Sequence, residues 1–333
     1  MPLEANAANQ RGTMDAQSRL WADVSAAFKL SRLCWLGVMM RLSCGASAGL
    51  LVLAGVMLAS ASAQVPTTTD NGNLADGQCP HLDDPDPAML AQLRELSLQP
   101  GTKIDPATLM KDPRIAEFIA QTTKQEQARK QSDWSGLCRY RAENAALRGK
   151  PAPRVVFLGD SITENWRYGD PGLFSDEIID RGISGQTSSQ ILLRFYPDAI
   201  ALHPAVVHIM AGTNDVLQYT GPIGDDDIVN NITAMIDLAQ INHIKVVLAS
   251  ILPISVRSWQ PNLKPAARLG RLNERLRALA AARRVLFVDY GATLKDADGG
   301  LRADLGNDGV HPNRAGYTAM RPLANRAVAQ ALR

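Results

Sequence analysis

The chain has 333 residues, 46% of them apolar and 20% charged. That is more than the roughly 250 to 300 at which a single core stops growing, so one full domain plus a further segment is expected. The composition excludes wholesale disorder and a multi-span membrane protein. With 35 basic against 33 acidic side chains the formal charge is only +2, which gives no global electrostatic footprint for nucleic acid.

In chain order the first feature is an uncharged apolar run, Gly45 to Ala61, behind Arg41 and leading into Ala61-Ser62-Ala63. This is the layout of a signal peptide cleaved after Ala63, and it predicts a secreted or periplasmic protein beginning at Gln64. The alternative, an uncleaved leader that anchors the chain in a membrane, needs about 20 apolar residues, and this run is shorter and rich in Ser, Ala and Gly. A start at Met39 or Met40 would give a more compact leader than Met1. Cleavage removes Cys34, Cys44, five basic and three acidic residues, so the mature chain carries no net charge and keeps Cys79 and Cys138. In an oxidising compartment a disulfide between these two is the natural expectation, with two buried thiols as the alternative.

Residues 64–85 are rich in Thr, Asp, Asn, Gly and Pro and read as a linker. Residues 86–150 read as a helical extension, with helices expected over Pro87 to Leu98, Asp112 to Gln131 and Asp133 to Leu147 from their Asp caps and first-turn prolines. At that length it is expected to pack on the main domain and not to form a module of its own. From 151 to 333 short β-branched runs alternate with helical stretches. Strands are expected at Arg154 to Leu158, Ile178 to Ile183, Val206 to Met210, Lys245 to Ile251 and Val285 to Asp289. Helices are expected at Thr187 to Phe195, Asp225 to Gln240, Pro265 to Arg283 and Asn313 to Ala331. Such alternation predicts an α/β fold, a parallel sheet covered by helices on both faces.

In an open parallel sheet, reactive groups gather where loops leave the carboxyl ends of the strands. Four unusual loops fall there: Gly159 to Thr163, Gly182 to Thr187, Gly212 to Asp215 and Asn307 to Asn313. A serine hydroxyl becomes a nucleophile only beside a base whose tautomer a third group fixes. Ser161, His311 and Asp308 supply those catalytic roles, and Pro312 is suited to open the last helix. The developing oxyanion needs donors; the candidates are the N–H groups of Ser161 and Gly185 and the side-chain amide of Asn214.

These loops resemble the sequence blocks of the SGNH or GDSL-type hydrolases, named for the Ser, Gly, Asn and His that stand here as Ser161, Gly185, Asn214 and His311. The resemblance covers about Arg154 to Arg333 and includes the block order, Gly-Asp-Ser, Gly212-Thr213-Asn214-Asp215 and Asp308 to His311; Ile162 stands where the shorthand has Leu. It implies a flavodoxin-like three-layer α/β/α sandwich with a five-stranded parallel sheet and a Ser-His-Asp mechanism on esters, with no metal and no organic cofactor. Gly182 is an alternative donor, but Ile-Ser-Gly-Gln-Thr resembles the family segment in which the second glycine serves, which favours Gly185. Asp304 is an alternative orienter that lies outside the motif.

Other features read as structural. His203, His208 and His243 share no ligand spacing, His81 sits in the linker, and Asp225 to Asp227 precede a helix that they would cap. The arginines of 268–284 read as a solvated helix face; Trp166 reads equally as the wall of a substrate pocket or as packing, and Val310 equally as an acyl contact or as packing. Gly45-Ala46-Ser47-Ala48-Gly49 matches a nucleophile elbow, but it lies in the leader with no strand before it. The sequence therefore predicts a secreted serine esterase acting on short acyl, foremost acetyl, esters of a small molecule or oligosaccharide, with no nucleic acid partner and no stable membrane association after cleavage. The alternatives are a lysophospholipase, thioesterase or O-acyltransferase, and a non-catalytic carbohydrate-binding protein on the same fold.

Overall fold

The structure, a computed structural model, describes residue 79 and residues 85–103, 106–255 and 265–333. The expected leader, its cleavage site, the Gly45 to Gly49 decoy and most of the linker lie outside the described residues.

Five strands, β1 (Val155–Gly159), β2 (Ile178–Gly182), β3 (Val206–Met210), β4 (Lys245–Ala249) and β5 (Leu286–Val288), form one parallel sheet in the order β2-β1-β3-β4-β5. All five lie within the expected runs or one residue beyond them. Because successive side chains point to opposite faces, β1 feeds two cores. Val156 and Leu158 belong to one, with Ile191, Ile232 and Leu272. Val155 and Phe157 belong to the other, with Trp166, Tyr317 and Met320. A strand buried on both faces reads as an unbroken apolar run, as Val155 to Gly159 does.

The helical segment comes first in the chain, with α1 (Pro87–Leu98), α2 (Pro113–Ser132) and α3 (Arg141–Ala146). In the sandwich, α4 (Ser161–Gly169) follows β1 and α5 (Ser188–Leu193) follows β2, while α6 (Asp225–Ile241), α7 (Pro265–Arg283) and α8 (Arg314–Ala331) complete the layers. Residues of α5, α6 and α7 line the first core and those of α4 and α8 the second. The third expected helix of the extension is shortened to α3. The Asp133 carboxylate accepts from the N–H groups of Leu137 and Cys138, both at 2.8 Å, and Gly136 takes a positive φ of 72°. These local bonds turn the chain where a helix would have continued it. Cys138 at the end of that turn is disulfide-bonded to Cys79, with Cα atoms 5.5 Å apart.

The charge runs pair with one another. Gly224 stands at the N-cap of α6 and Asp225 to Asp227 occupy its first turn, where they complement the helix dipole without capping through a side chain. Asp225 pairs with Arg268 at 2.7 Å and Asp226 with Arg275 at 2.6 Å. The arginines of α7 are thus partly neutralised by α6. His203 and His243 occupy left-handed turns just before β3 and β4. His208 is fully buried, stacked on Phe157 with ring centroids 4.4 Å apart and 2.9 Å from the Tyr290 hydroxyl. Burial lowers its pKa to about 3, so the ring is neutral.

Arg194 is fully buried after α5. It donates to the carbonyls of Gly159 (2.7 Å) and Arg181 (2.8 Å), to Asp198 (3.0 Å) and to the Gln186 amide oxygen. Removing one partner of a buried ion pair leaves the other charge uncompensated, at about 3 to 5 kcal/mol. Arg194→Met is accordingly expected to lose about that much in urea denaturation; a loss below about 1 kcal/mol would refute this account.

Candidate active site

The sheet register decides which loops meet. Gly159 at the end of β1 is level with Gly182 on β2 and Met210 on β3. Ser161, Gly185 and Asn214 therefore follow these level strand ends by two, three and four residues, at the crevice where strand order reverses between β1 and its neighbours. The strand-to-helix turn after β1 is capped by Asp160, whose Oδ1 accepts from Ile162 N–H at 2.9 Å. Ser161 becomes the first residue of α4, and its N–H is one of the donors a helix start leaves without an intrahelical partner.

Ser161 Oγ lies 2.9 Å from His311 Nε2, and His311 Nδ1 lies 2.6 Å from Asp308 Oδ2. The other oxygen of Asp308 accepts from the N–H groups of Val310 and His311, each at 2.8 Å. Burial works against charge on Asp308, but the imidazole and these donors outweigh it and hold its carboxyl well below the ordinary value. Its contribution to stability is therefore present above about pH 4 and lost as pH falls below that. Asp304 does not take this role: its exposed carboxylate pairs with Arg302 at 2.6 Å.

Gly185 has a φ of 78°, a left-handed conformation in which glycine is favoured, and a Cβ there would meet open space. Gly182 is a packing glycine instead. Its N–H donates to Asp180 Oδ1 at 2.6 Å, and a Cβ would fall 2.1 Å from Glu164 N. Asn214 is buried, and its amide donates one hydrogen to Gln186 O at 2.9 Å, next to Gly185, leaving the second amide hydrogen for another acceptor. Behind it Asp215 accepts from Ser188 N (2.8 Å) and Oγ (2.6 Å). Trp166 is fully buried among Phe157, Tyr290 and Tyr317, so it packs and does not face the crevice. No group of metal-ligating side chains occurs among the described residues.

Residues 157–319 match the model of the GDSL-like lipase/acylhydrolase family. The chain is 42% identical to a crystal structure of a candidate acylhydrolase from Bacteroides fragilis, covering 60% of this chain and 99% of that one with a TM-score of 0.57. It is 41% identical to a GDSL-like lipase from Bacteroides thetaiotaomicron, with 60% and 100% covered and a TM-score of 0.58. The chain belongs to the GDSL-like lipase/acylhydrolase family. Membership carries the class of chemistry, hydrolysis of ester bonds by a serine hydrolase. A curated relative, an uncharacterised lipoprotein of Bacillus subtilis, is 30% identical over 128 residues, and the chain spans about half the length of that relative, 53%.

Sequence reasoning passed over three side chains that shape this family site: Asp160, Glu164 and Arg194. Asp160 was legible as a helix cap directly before Ser161; the other two show no motif. Burial pushes the Asp160 carboxyl up to about 6, against the pull of the Ile162 N–H and of His311. A carboxyl raised in the folded state disfavours folding increasingly as pH rises from about 4 to about 6. Asn can cap the same N–H without the charge. Asp160→Asn should therefore gain stability over the parent across pH 4 to 6, reaching on the order of 3 kcal/mol and constant above. Urea curves at pH 4, 5, 6 and 8 measure this; a gap independent of pH would refute it.

Proposed function

We propose that Ser161 is the nucleophile, His311 the base and Asp308 its orienter in a serine esterase, with Ser161 N–H, Gly185 N–H and the Asn214 amide as the oxyanion hole. The observation that supports it is the continuous chain from Ser161 Oγ through His311 to Asp308, with contacts of 2.9 and 2.6 Å. Ser161 attacks the ester carbonyl as its proton passes to His311 Nε2, while Asp308 accepts from Nδ1–H and stabilises the imidazolium. His311 then protonates the leaving alcohol. A water molecule, deprotonated by the same nitrogen, releases the acid from the acyl-enzyme.

The acyl group in this reading is short, foremost acetyl, and the alcohol is a carbohydrate hydroxyl. Polar residues close in sequence to the candidate nucleophile and oxyanion donor support it: Ser184 is exposed directly before Gly185, and Asn165 is half-buried four residues after Ser161. Export by a signal peptide cleaved after Ala63 belongs to the same reading, supported by the Gly45 to Ala61 run and by the Cys79–Cys138 disulfide. Among the described residues no helix is long and apolar enough to cross a membrane. Amino-terminal sequencing of exported protein should read Gln64; an intact Met1 or Met39 would overturn the cleavage.

Hydrolysis of p-nitrophenyl esters from acetyl to palmitoyl tests the chemistry. Turnover should fall with chain length, vanish in Ser161→Ala, and drop about 100-fold in kcat in Asn214→Ala, the scale of losing one oxyanion donor. A preference for long chains would redirect the substrate to lipids, and turnover surviving in Ser161→Ala would sink the site assignment.

A further inference from the structure

The helical segment meets two of the loops that carry the candidate active site. The first meeting point is Asn307, the residue before Asp308. Its Nδ2 donates to the carbonyls of Ser97 and Gln99, both at 2.8 Å, at the end of α1, where a helix leaves carbonyls without partners. Its Oδ1 accepts from Asn313 Nδ2 at 3.2 Å. Beside it Arg314 pairs with Glu95 of α1 at 2.7 Å. The stretch that holds Asp308 and His311 is thus bounded by Asn307 and Asn313, which bond to each other, and Asn307 is bonded in turn to α1.

The second meeting point is the turn between α2 and α3. Trp134 O accepts from Gln190 Nε2 and Ser135 O from Gln186 Nε2, each at 2.8 Å, and the Tyr140 hydroxyl donates to Gly182 O. Arg139 Nη2 reaches Glu164 Oε1 at 3.3 Å. The other oxygen of Glu164 accepts from Ser184 N (2.8 Å) and Ser184 Oγ (2.6 Å), directly before Gly185. Glu164 stands three residues after Ser161 on α4. One carboxylate therefore links the nucleophile's helix, the loop bearing the Gly185 donor and the helical segment. Cys138, adjacent to Arg139, fastens this turn to Cys79.

We propose that the segment from Pro87 to Ala146 is a positioning element of the catalytic site, fixing the Gly185 donor through Arg139 and Glu164 and the Asp308–His311 pair through Asn307. The proposal rests on Ser161 being the nucleophile and Gly185 an oxyanion donor. Two donors on separate loops must converge on one oxygen within about 2.7 to 3.1 Å. A misplacement of about 1 Å costs on the order of 100-fold in rate. Glu164 touches no reacting atom in this account and acts through Ser184.

The experiment uses the full chain and p-nitrophenyl acetate, with active sites counted by a p-nitrophenyl phosphonate so that kcat is expressed per competent site. Glu164→Ala should lower this kcat about 10- to 100-fold with KM within about threefold, because the donor acts on the transition state. Glu164→Gln keeps an acceptor for Ser184 but loses the ion pair to Arg139 and should fall between the two. Asn307→Ala should lower kcat and displace the acidic limb of the pH–rate profile, a readout that a folding defect would leave in place. A per-site kcat for Glu164→Ala within twofold of the parent, or a loss confined to KM or to the number of competent sites, overturns the proposal. If Glu164→Ala does not fold, a Glu164→Gln kcat equal to the parent's overturns it. Ser161→Ala in the same series separates the two readings: activity remaining there removes the nucleophile assignment itself, whereas its loss with normal Glu164 and Asn307 variants removes only the positioning role.

Discussion

The guanidinium of Arg194 lies with no exposure to water between the ends of two strands and the loop that follows the second. It takes the carbonyl of Gly159, two residues before Ser161, the carbonyl of Arg181 on the neighbouring strand, the amide of Gln186 beside Gly185, and Asp198 as counterion. A planar cation with five donors can join carbonyls that no backbone ladder pairs. Burial lowers its pKa, and the Asp198 charge acts in the other direction. Because the donors of one side chain are rigidly related, the end of β1 and the loop after β2 are held in one frame.

The same region collects carboxylates. Asp160, Asp180, Asp198 and Asp215 are all buried near the carboxyl end of the sheet or just beneath it, and burial pushes each of them upward, Asp180 to about 7. Each accepts from a backbone N–H or a side chain that belongs to one of the site's loops or to the elements below them. Asp308 behaves in the opposite way, held low by His311 and two N–H groups. The contrast separates two uses of a carboxylate. The first four hold neighbouring backbone or side chains together at some cost in stability, while the fifth is held low beside an imidazole, which fits the orienting role proposed for it.

The α/β architecture was legible because short, unbroken β-branched runs and the helical stretches between them are local properties. All five strands and helices such as α7 follow from them directly. Elements whose ends depend on side-chain bonds were less legible. The stretch from Asp133 to Leu147 has helix formers, yet the Asp133 carboxylate and Gly136 fold it into turns. Asp225 to Asp227 reads as a capping run, and three-dimensional pairing with Arg268 and Arg275 gives two of its members another task.

The sequence by itself determined the sheet, the order of the blocks and which residue types stand at its carboxyl edge, because Ser161, Gly185, Asn214, Asp308 and His311 all stand in short motifs. It also favoured Asp308 over Asp304, which lies farther from His311 and outside the motif. Only the tertiary structure decided that Ser161 and His311, 150 positions apart in the chain, come within 2.9 Å of each other, that Gly182 packs while Gly185 faces open space, and that Glu164, Asn307 and Arg194 brace the loops. Each of the three has a partner at least 20 residues away in the chain, Ser184 for Glu164, Gly159 for Arg194 and Ser97 for Asn307. A contact of that kind leaves no periodicity behind, since its strength depends on distance in space and on burial, neither of which a local pattern encodes.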